Sequence, residues 1–161
     1  MRRSCVVIAV MLLSSIACGQ SHVSTRLNVD RQPIWGPTGY DHVEYYYLPD
    51  IDIYYNVPLG RFYYYENSRW TNGTSLPARA QGFDLYSAYK VVVNETTPYR
   101  RNAMNRAKYG MFKGRHDQEV IRDSRDTRYV ANPRHPEHNA WLKQQKQQSP
   151  HDNRNQRPVK R

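Results

Sequence analysis

Hydrophobic and polar positions alternate most regularly between residues 51 and 57. The odd positions are all apolar or aromatic, whereas Asp52 and Asn56 lie among the even ones. A period of two places successive side chains on opposite faces of a β-strand. Turn residues bound the segment, with Pro49-Asp50 before it and Pro58 to Gly60 after it, because proline restricts φ and glycine accepts a positive φ. We therefore expect a half-buried strand over 51–57.

Neighbouring segments rich in aromatic or β-branched residues predict further strands. Three lie near 43–48, 61–66 and 69–72, and we expect them to pair consecutively as an antiparallel meander. The segment 89–94 contains three consecutive valines, whose branched side chains favour a strand, so it predicts a fifth. The sheet should therefore have four or five strands.

A helix is expected after the last strand. Thr97 can cap it, and Pro98 suits its first position. Over residues 98–112 apolar side chains recur with a helical period, and we expect their common side to pack on the sheet. That side consists of Tyr99, Ala103, Met104, Ala107 and Met111. The predicted fold class is α+β: a small antiparallel β-meander with one short helix and a disordered basic C-terminal tail.

Tyrosine recurs about every nine residues, in the runs 45–47, 54–55 and 63–65. Adjacent tyrosines point to opposite faces of a strand, so both faces should be aromatic, with the hydroxyls near the rim. One interpretation is that the rings build a thin core. The other is that one face is an exposed aromatic platform that binds a glycan, peptidoglycan or a partner protein. The candidate residues of this binding face are Tyr46, Tyr54, Tyr63, Tyr65 and Trp70.

The first residues have the composition of a secretory signal. Arg2 and Arg3 precede an unbroken apolar run over 5–13, and small residues follow at Ser15 and Ala17. A stable membrane span takes about 20 apolar residues, so this run is too short for one. We therefore predict a signal peptide over 1–17 and an exported mature protein.

The segment Ser15-Ile16-Ala17-Cys18 resembles the lipobox of bacterial lipoproteins, in which the cysteine thiol receives a diacylglycerol. The chain has two cysteines, and Cys5 leaves with the signal, so Cys18 would otherwise be a lone thiol in an oxidising compartment. The resemblance implies lipidation of Cys18 and anchoring to a membrane in the periplasm or at the outer membrane. The alternative is cleavage near Ala17 or Gly19 by an ordinary signal peptidase, which would give a soluble secreted protein.

Charge and composition divide the mature chain. Residues 18–96 carry a net charge of −2, and residues 97–161 a net charge of +10. Beyond Gly114 the chain has few clustered apolar residues, too few to offset the entropy of ordering it. We therefore expect a flexible tether over 18–33, an ordered domain over 34–113 and a disordered tail over 114–161. The tail could bind an anionic envelope surface or simply add solubility. Nucleic acid is not expected outside the cytoplasm.

The ordered region also resembles a group of uncharacterised small exported proteins of Gram-negative bacteria. The likeness is carried by YYYLPDIDIYYNVPLGRFYYYENSRW, followed by the Tyr-Lys-Val-Val-Val-Asn strand over 89–94, and covers about residues 35–113. It implies Tyr-rich strands separated by short turns and an envelope location. It implies no activity.

Candidate chemistry is sparse. His135 and His138 are close in sequence, but they lie in the predicted tail, so no metal site is expected. Carboxylates could pair as Asp50 with Asp52 or Asp41 with Glu44, although each lies at a turn or strand end, where solvation is the default. No Ser lies in a Gly-x-Ser-x-Gly elbow, and no Gly-rich phosphate loop occurs. The sequence predicts a non-enzymatic cell-envelope lipoprotein with a structural or binding role and no cofactor. The alternative is an accessory enzyme or hydrolase acting on envelope polymers.

Overall fold

A computed structural model describes residues 27–148 and contains one five-stranded antiparallel sheet. The strands are β1 (Tyr45–Leu48), β2 (Ile53–Asn56), β3 (Arg61–Glu66), β4 (Arg69–Gly73) and β5 (Val91–Val93). Their order across the sheet is β4-β3-β2-β1-β5, so the first four form the predicted meander and β5 pairs with β1 at the far edge. The predicted α+β class is confirmed. The signal peptide, Cys18 and the last residues of the tail, 149–161, lie outside the described residues.

Tight turns set the register of the meander. Glu66 pairs with Arg69 across the hairpin between β3 and β4, which leaves a two-residue loop. Asn67 and Ser68 both have positive φ, at 51° and 60°. This is the pattern of a type I′ turn, whose twist matches that of the flanking strands. The strands predicted near 61–66 and 69–72 are therefore joined directly by a tight hairpin.

Helical backbone covers residues 98–112, as predicted. A 3-10 turn (Pro98–Arg101) leads into α1 (Asn102–Tyr109), and a second 3-10 turn (Gly110–Phe112) follows it. The Thr97 side chain makes no capping hydrogen bond. Two further helices come later, α2 (Thr127–Val130) and α3 (His138–Gln148). Further 3-10 turns are Val29–Arg31, Ala78–Ala80 and Ile121–Asp123.

Each face of the sheet carries its own apolar layer. The helix-covered face packs against α1 and the turn before it, and its members are Tyr45, Tyr47, Tyr54, Tyr63, Trp70, Val91, Val93, Tyr99 and Tyr109. The loop-covered face packs against Trp35 near the N-terminus and against Phe83 and Leu85 in the segment before β5. Both faces are therefore aromatic, as the tyrosine runs predict. Since each face is covered, most of these rings form core.

Asparagine side chains of α1 bond the tyrosine hydroxyls beneath it. The Tyr54 hydroxyl donates to Asn102 Oδ1 at 2.8 Å and accepts from Asn105 Nδ2 at 3.0 Å. Asn102 Nδ2 also donates to Asp52 Oδ2 at 3.0 Å, and the Tyr47 hydroxyl donates to Asp52 Oδ1 at 2.9 Å. Buried hydroxyls require such partners, because water cannot reach them. We call Tyr47, Asp52, Tyr54, Asn102 and Asn105 the tyrosine–asparagine network.

This network reverses the predicted orientation of the helix. Asn105 is buried and Asn102 is partly buried, whereas Met104 and Met111 have 66% and 74% of their surface exposed. Ala103 and Ala107 are exposed as well. Of the predicted apolar side, only Tyr99 packs on the sheet. The helical period correctly identified the apolar side of the helix, but the prediction that this side packs on the sheet was wrong. The sheet instead presents the Tyr54 hydroxyl, which requires the hydrogen bonds that Asn102 and Asn105 supply.

The interpretation of the C-terminal part as a disordered tail is corrected for residues 114–148. Ile121, Tyr129 and Val130 are buried, and Val120 pairs with Pro37 in an isolated bridge. The Ile121 amide also donates to Gly36 O at 2.8 Å. The segment therefore folds back on the N-terminal residues. Composition missed this because its few apolar residues are scattered along the sequence and meet only in three dimensions.

The expected tether is corrected in the same way over its last residues. Asn28 and Gln32 are buried, and the Asn28 amide donates to Val43 O at 2.7 Å. Asn132 of the C-terminal segment donates to Gln32 O at 3.2 Å. The ordered region therefore begins before residue 34. Its N-terminal segment is hydrogen-bonded to its C-terminal segment.

Replacing Ile121 with alanine tests the packing of the C-terminal segment. Ile121 is fully buried, so Ile121→Ala should lower the free energy of unfolding by about 2–5 kcal/mol. The matched control Leu142→Ala, at a side chain 37% exposed in α3, should cost less than about 1 kcal/mol. Urea denaturation followed by circular dichroism measures both. An unchanged midpoint for Ile121→Ala would show that this segment is not part of the cooperative unit.

Removing one hydroxyl tests the tyrosine–asparagine network. Tyr54→Phe leaves the amides of Asn102 and Asn105 without their shared partner and should cost about 1–3 kcal/mol. Tyr65→Phe, which removes a hydroxyl from a half-exposed ring, should change the free energy of unfolding by no more than about 0.5 kcal/mol. Equal midpoints for the two variants in the same denaturation experiment would contradict the proposed role of the network.

Candidate functional site

The five residues predicted to form one binding face lie on both sides of the sheet. Tyr46 is on the loop-covered face with none of its surface exposed, and its hydroxyl donates to Gln32 Oε1 at 3.0 Å. Its ring lies 5.6 Å from that of Trp35. The backbone of Gly36 packs directly against the Tyr46 hydroxyl. A Cβ atom at position 36 would lie only 2.6 Å from the hydroxyl oxygen, so no larger residue fits without a shift. The assignment of Tyr46 to an exposed aromatic face is therefore corrected.

Tyr54 is on the helix-covered face, but it too is fully buried. It lies at the centre of the tyrosine–asparagine network, under α1, with its ring 5.8 Å from that of Trp70. Burial raises the pKa of its hydroxyl above the ordinary value, which keeps the group protonated and able to donate. Tyr54 is therefore a core residue that packs against Trp70, and its assignment to the exposed platform is corrected.

The other three candidates lie together at the edge of the helix-covered face. Tyr65 and Trp70 are cross-strand partners with ring centroids 5.6 Å apart. Tyr63 stacks on Tyr99 at 5.0 Å and 12°, and Trp70 lies 5.4 Å from Tyr99. Tyr65 has 51% of its surface exposed, and the other three are partly buried. We call Tyr63, Tyr65, Trp70 and Tyr99 the aromatic edge.

Tyr99 is the member that the binding-face prediction missed. It lies in the 3-10 turn before α1, outside the tyrosine runs of the sheet. Its position in the predicted apolar side of the helix was the available signal, because a helix that packs on the sheet brings its first aromatic residue to the strands. The spacing of the strands in the sequence could not identify which residues of the sheet Tyr99 would contact.

Polar residues that flank Tyr99 in the sequence form an open groove of about 580 Å³. Its lining residues are Glu95, Thr96, Thr97, Arg100 and Arg101. Arg101 and Glu95 form an exposed ion pair at 3.8 Å. Arg61, on the strand that carries Tyr63, donates to Asn72 Oδ1 at 2.6 Å. Flat rings beside hydroxyl, guanidinium and carboxylate groups can stack on an apolar ligand surface and bond its polar rim.

The carboxylates considered as acid–base pairs are engaged with other partners. Asp50 accepts from the Gly114 amide at 2.7 Å, and Asp52 belongs to the tyrosine–asparagine network. Asp41 forms an ion pair with Arg128 at 2.7 Å, and Glu44 lies 3.1 Å from the His42 ring. Asp41, Asp50 and Asp52 therefore connect segments that are far apart in the sequence.

The histidines considered as metal ligands contact backbone carbonyls. His135 is buried, and its Nε2 lies 3.1 and 3.0 Å from the carbonyl oxygens of Ile121 and Ser124. Because carbonyls only accept, Nε2 carries a proton there. His138 Nδ1 lies 3.0 Å from Val130 O. Between residues 27 and 148, no group of three or more His, Cys, Asp or Glu side chains could hold a metal ion.

A buried lysine was not found from the sequence. Lys90 has none of its surface exposed, and its ammonium donates to the carbonyl oxygens of Leu85 at 2.9 Å and Tyr86 at 3.3 Å. Burial lowers its pKa to about 8, and the charge of Asp84 offsets part of this effect. Residues with strongly shifted pKa values often mark functional sites. Lys90 is instead enclosed, and its hydrogen bonds stabilise the loop before β5. In the sequence, a lysine directly before a run of valines indicates a solvated charge at the end of a strand. The sequence pattern therefore gave no indication that Lys90 is buried.

Comparison of the chain with protein-family models, with curated proteins and with solved structures finds no match. Among residues 27–148, no helix has the length and apolar character that crossing a membrane requires.

The buried lysine predicts a specific dependence of stability on pH. Its pKa is about 8 in the folded state and 10.5 ordinarily, so between these values only the unfolded chain binds the proton. The free energy of unfolding should rise with pH across this window, by up to about 3 kcal/mol. The measurement is the thermal midpoint from pH 7 to 10, compared with Lys90→Met.

Lys90→Met keeps an unbranched side chain of nearly the same length and removes its charge, so this variant should not show the rise in stability. Tyrosines such as Tyr47 and Tyr54 act in the opposite direction above about pH 10, because burial raises their pKa in the folded state. Both proteins keep these tyrosines, so the difference between the two curves isolates the lysine. Parallel curves would contradict a neutralised buried lysine.

Proposed function

We propose that this chain is an exported cell-envelope protein, anchored by a lipid on Cys18, that binds a glycan strand of the envelope. The observation that carries the binding proposal is the aromatic edge, a partly exposed cluster of tyrosine and tryptophan rings. Its member Tyr99 lies in the sequence between Thr97 and Arg100, which line a polar groove. The export and lipidation parts rest on the sequence of residues 1–18.

Peptidoglycan is the glycan that fits this surface best. Tyrosine and tryptophan rings offer flat apolar faces, which can stack on the CH face of a pyranose ring. Thr96 and Thr97 can bond sugar hydroxyls, and Arg100 and Arg101 can pair with the carboxylates of muramic acid and its stem peptide. A partner protein of the envelope remains the second class of ligand, since aromatic and arginine residues also dominate protein interfaces.

The geometry supports binding over hydrolysis. A glycosidase needs two carboxylates that face each other across the substrate, about 5–9 Å apart. The groove is lined by one carboxylate, Glu95, and that group is paired with Arg101. The accessory-enzyme alternative therefore has no observation in its favour among residues 27–148.

Binding is tested by pull-down of the protein on purified peptidoglycan. Tyr65→Ala should weaken retention at least about fivefold, the effect of losing roughly 1 kcal/mol at a ring that contacts the ligand. Tyr65 is half exposed, so the substitution should leave the fold intact. Tyr40→Ala, at another tyrosine with 38% of its surface exposed, is the matched control and should bind like the unchanged protein. Equal retention of all three proteins would refute the glycan proposal.

Lipidation is tested by metabolic labelling with a radioactive fatty acid. The unchanged protein and Cys5→Ala should incorporate label, because Cys5 leaves with the signal, whereas Cys18→Ala should not. An unlabelled but exported protein would replace the lipoprotein proposal with simple secretion.

A further inference from the structure

The outward side of α1 and of the 3-10 turn that follows it is an apolar stripe that nothing in the described part of the chain covers. Met104 and Met111 are 66% and 74% exposed, and Ala103 and Ala107 are exposed too. Met104, Ala107 and Met111 are spaced by three and four residues, which places them with Ala103 along one side of the helical segment 98–112. Single exposed apolar residues are ordinary, but a contiguous stripe marks a contact surface. We call these four residues the methionine stripe.

The tyrosine–asparagine network explains how such a stripe can face outward in a stable fold. Asn102 and Asn105 satisfy hydroxyls of the sheet, so the helix is held by its polar side. Its apolar side is consequently not needed for the core. An amphipathic helix bound to its own protein through the polar face has its apolar face available for a second environment.

The stripe belongs to a segment whose own charged residues are all positive. Residues 98–114 contain five Arg and Lys and no Asp or Glu. The five are Arg100, Arg101, Arg106, Lys108 and Lys113. Arg101 and Arg106 lie 3.8 and 3.9 Å from Glu95 and Asp52, but their side chains are 67% and 60% exposed, so both guanidinium groups remain accessible to water. Lys108 lies above the Tyr109 ring at 4.9 Å.

We propose that this face docks on an anionic lipid bilayer, with the methionine stripe at the boundary between headgroups and acyl chains and the five cations on lipid phosphates. An apolar stripe flanked by Lys and Arg is the pattern of helices that lie in the plane of a membrane. Methionine adapts to a fluid apolar surface because its side chain is unbranched and flexible.

Charge also argues against a second copy of the chain on this face. Two copies meeting through their methionine stripes would bring two clusters of five cations together, in a protein whose net charge is +10. Like charges brought together without counter-charges oppose association. An anionic bilayer supplies the counter-charges over a continuous surface, which suits cations spread along the whole segment.

The proposal deepens the envelope assignment of the proposed function and rests on it for the location of the bilayer. A lipid on Cys18 would bring the chain to the membrane, and the methionine stripe would then orient the domain on it. The aromatic edge is a separate surface, so glycan binding and membrane docking can fail independently.

The test is co-sedimentation with phospholipid vesicles, using the full mature chain with Cys18→Ser so that no lipid contributes. Vesicles rich in phosphatidylglycerol should bind the protein at least tenfold more tightly than vesicles of phosphatidylcholine alone. Binding should weaken as salt rises toward about 0.5 M, because surface charges are screened. Equal binding to both kinds of vesicle, or no binding to either, would overturn the proposal.

Two pairs of variants separate the apolar contribution from the charges. Met104→Ser with Met111→Ser should reduce binding to anionic vesicles at least tenfold, whereas Leu59→Ser, at an apolar side chain 63% exposed elsewhere, should not. Lys108→Gln with Lys113→Gln should reduce binding and its salt dependence, whereas Lys143→Gln with Lys146→Gln in α3 should have little effect. Because all these side chains are exposed, thermal midpoints should stay near that of the unchanged protein.

The remaining outcomes are also decisive. Unchanged vesicle binding by the double methionine variant would show that the stripe takes no part. Binding of an acidic polypeptide such as polyglutamate at this face, without vesicle binding, would replace the membrane by a protein partner. Loss of vesicle binding with intact peptidoglycan retention would remove only this inference, and the reverse result would remove only the glycan proposal.

Discussion

The fold depends on hydrogen bonds to the buried tyrosine hydroxyls of the sheet. A tyrosine ring contributes a large apolar area to the core, but its hydroxyl is costly to bury without a partner. In this protein each deeply buried hydroxyl has one. Tyr46 reaches Gln32 on the loop-covered face, and Tyr47 and Tyr54 reach Asp52 and the asparagines of α1 on the other face.

These partners determine what covers each face. On one side the N-terminal segment lies over Tyr46 and is in turn held by the C-terminal residues, through Gln32 and Asn132. On the other side the helix turns Asn102 and Asn105 inward. A sheet of leucine and valine would have favoured the apolar side of the same helix. The choice of tyrosine thus frees an apolar stripe for the surface.

The two surfaces to which we assign binding both follow from this arrangement. The aromatic edge exists because the tyrosine runs continue to the last strands of the meander, where α1 no longer covers the rings fully. The methionine stripe exists because the helix is anchored by its amides. One surface has the chemistry of a saccharide or protein contact, and the other that of an anionic membrane contact. The two proposals together would place the domain between a bilayer and the polymer layer beside it.

The sequence by itself determined the strands, their antiparallel meander and the extent of the helical segment. These features are local, since alternation, turn residues and helical period are each set by neighbours in the chain. Only the tertiary structure decided which side of the helix faces inward, that Tyr46 and Tyr54 are core, and that residues 114–148 are folded. Those outcomes depend on contacts between distant residues, such as Gly36 with Ile121 and Tyr54 with Asn105, and no local pattern records them.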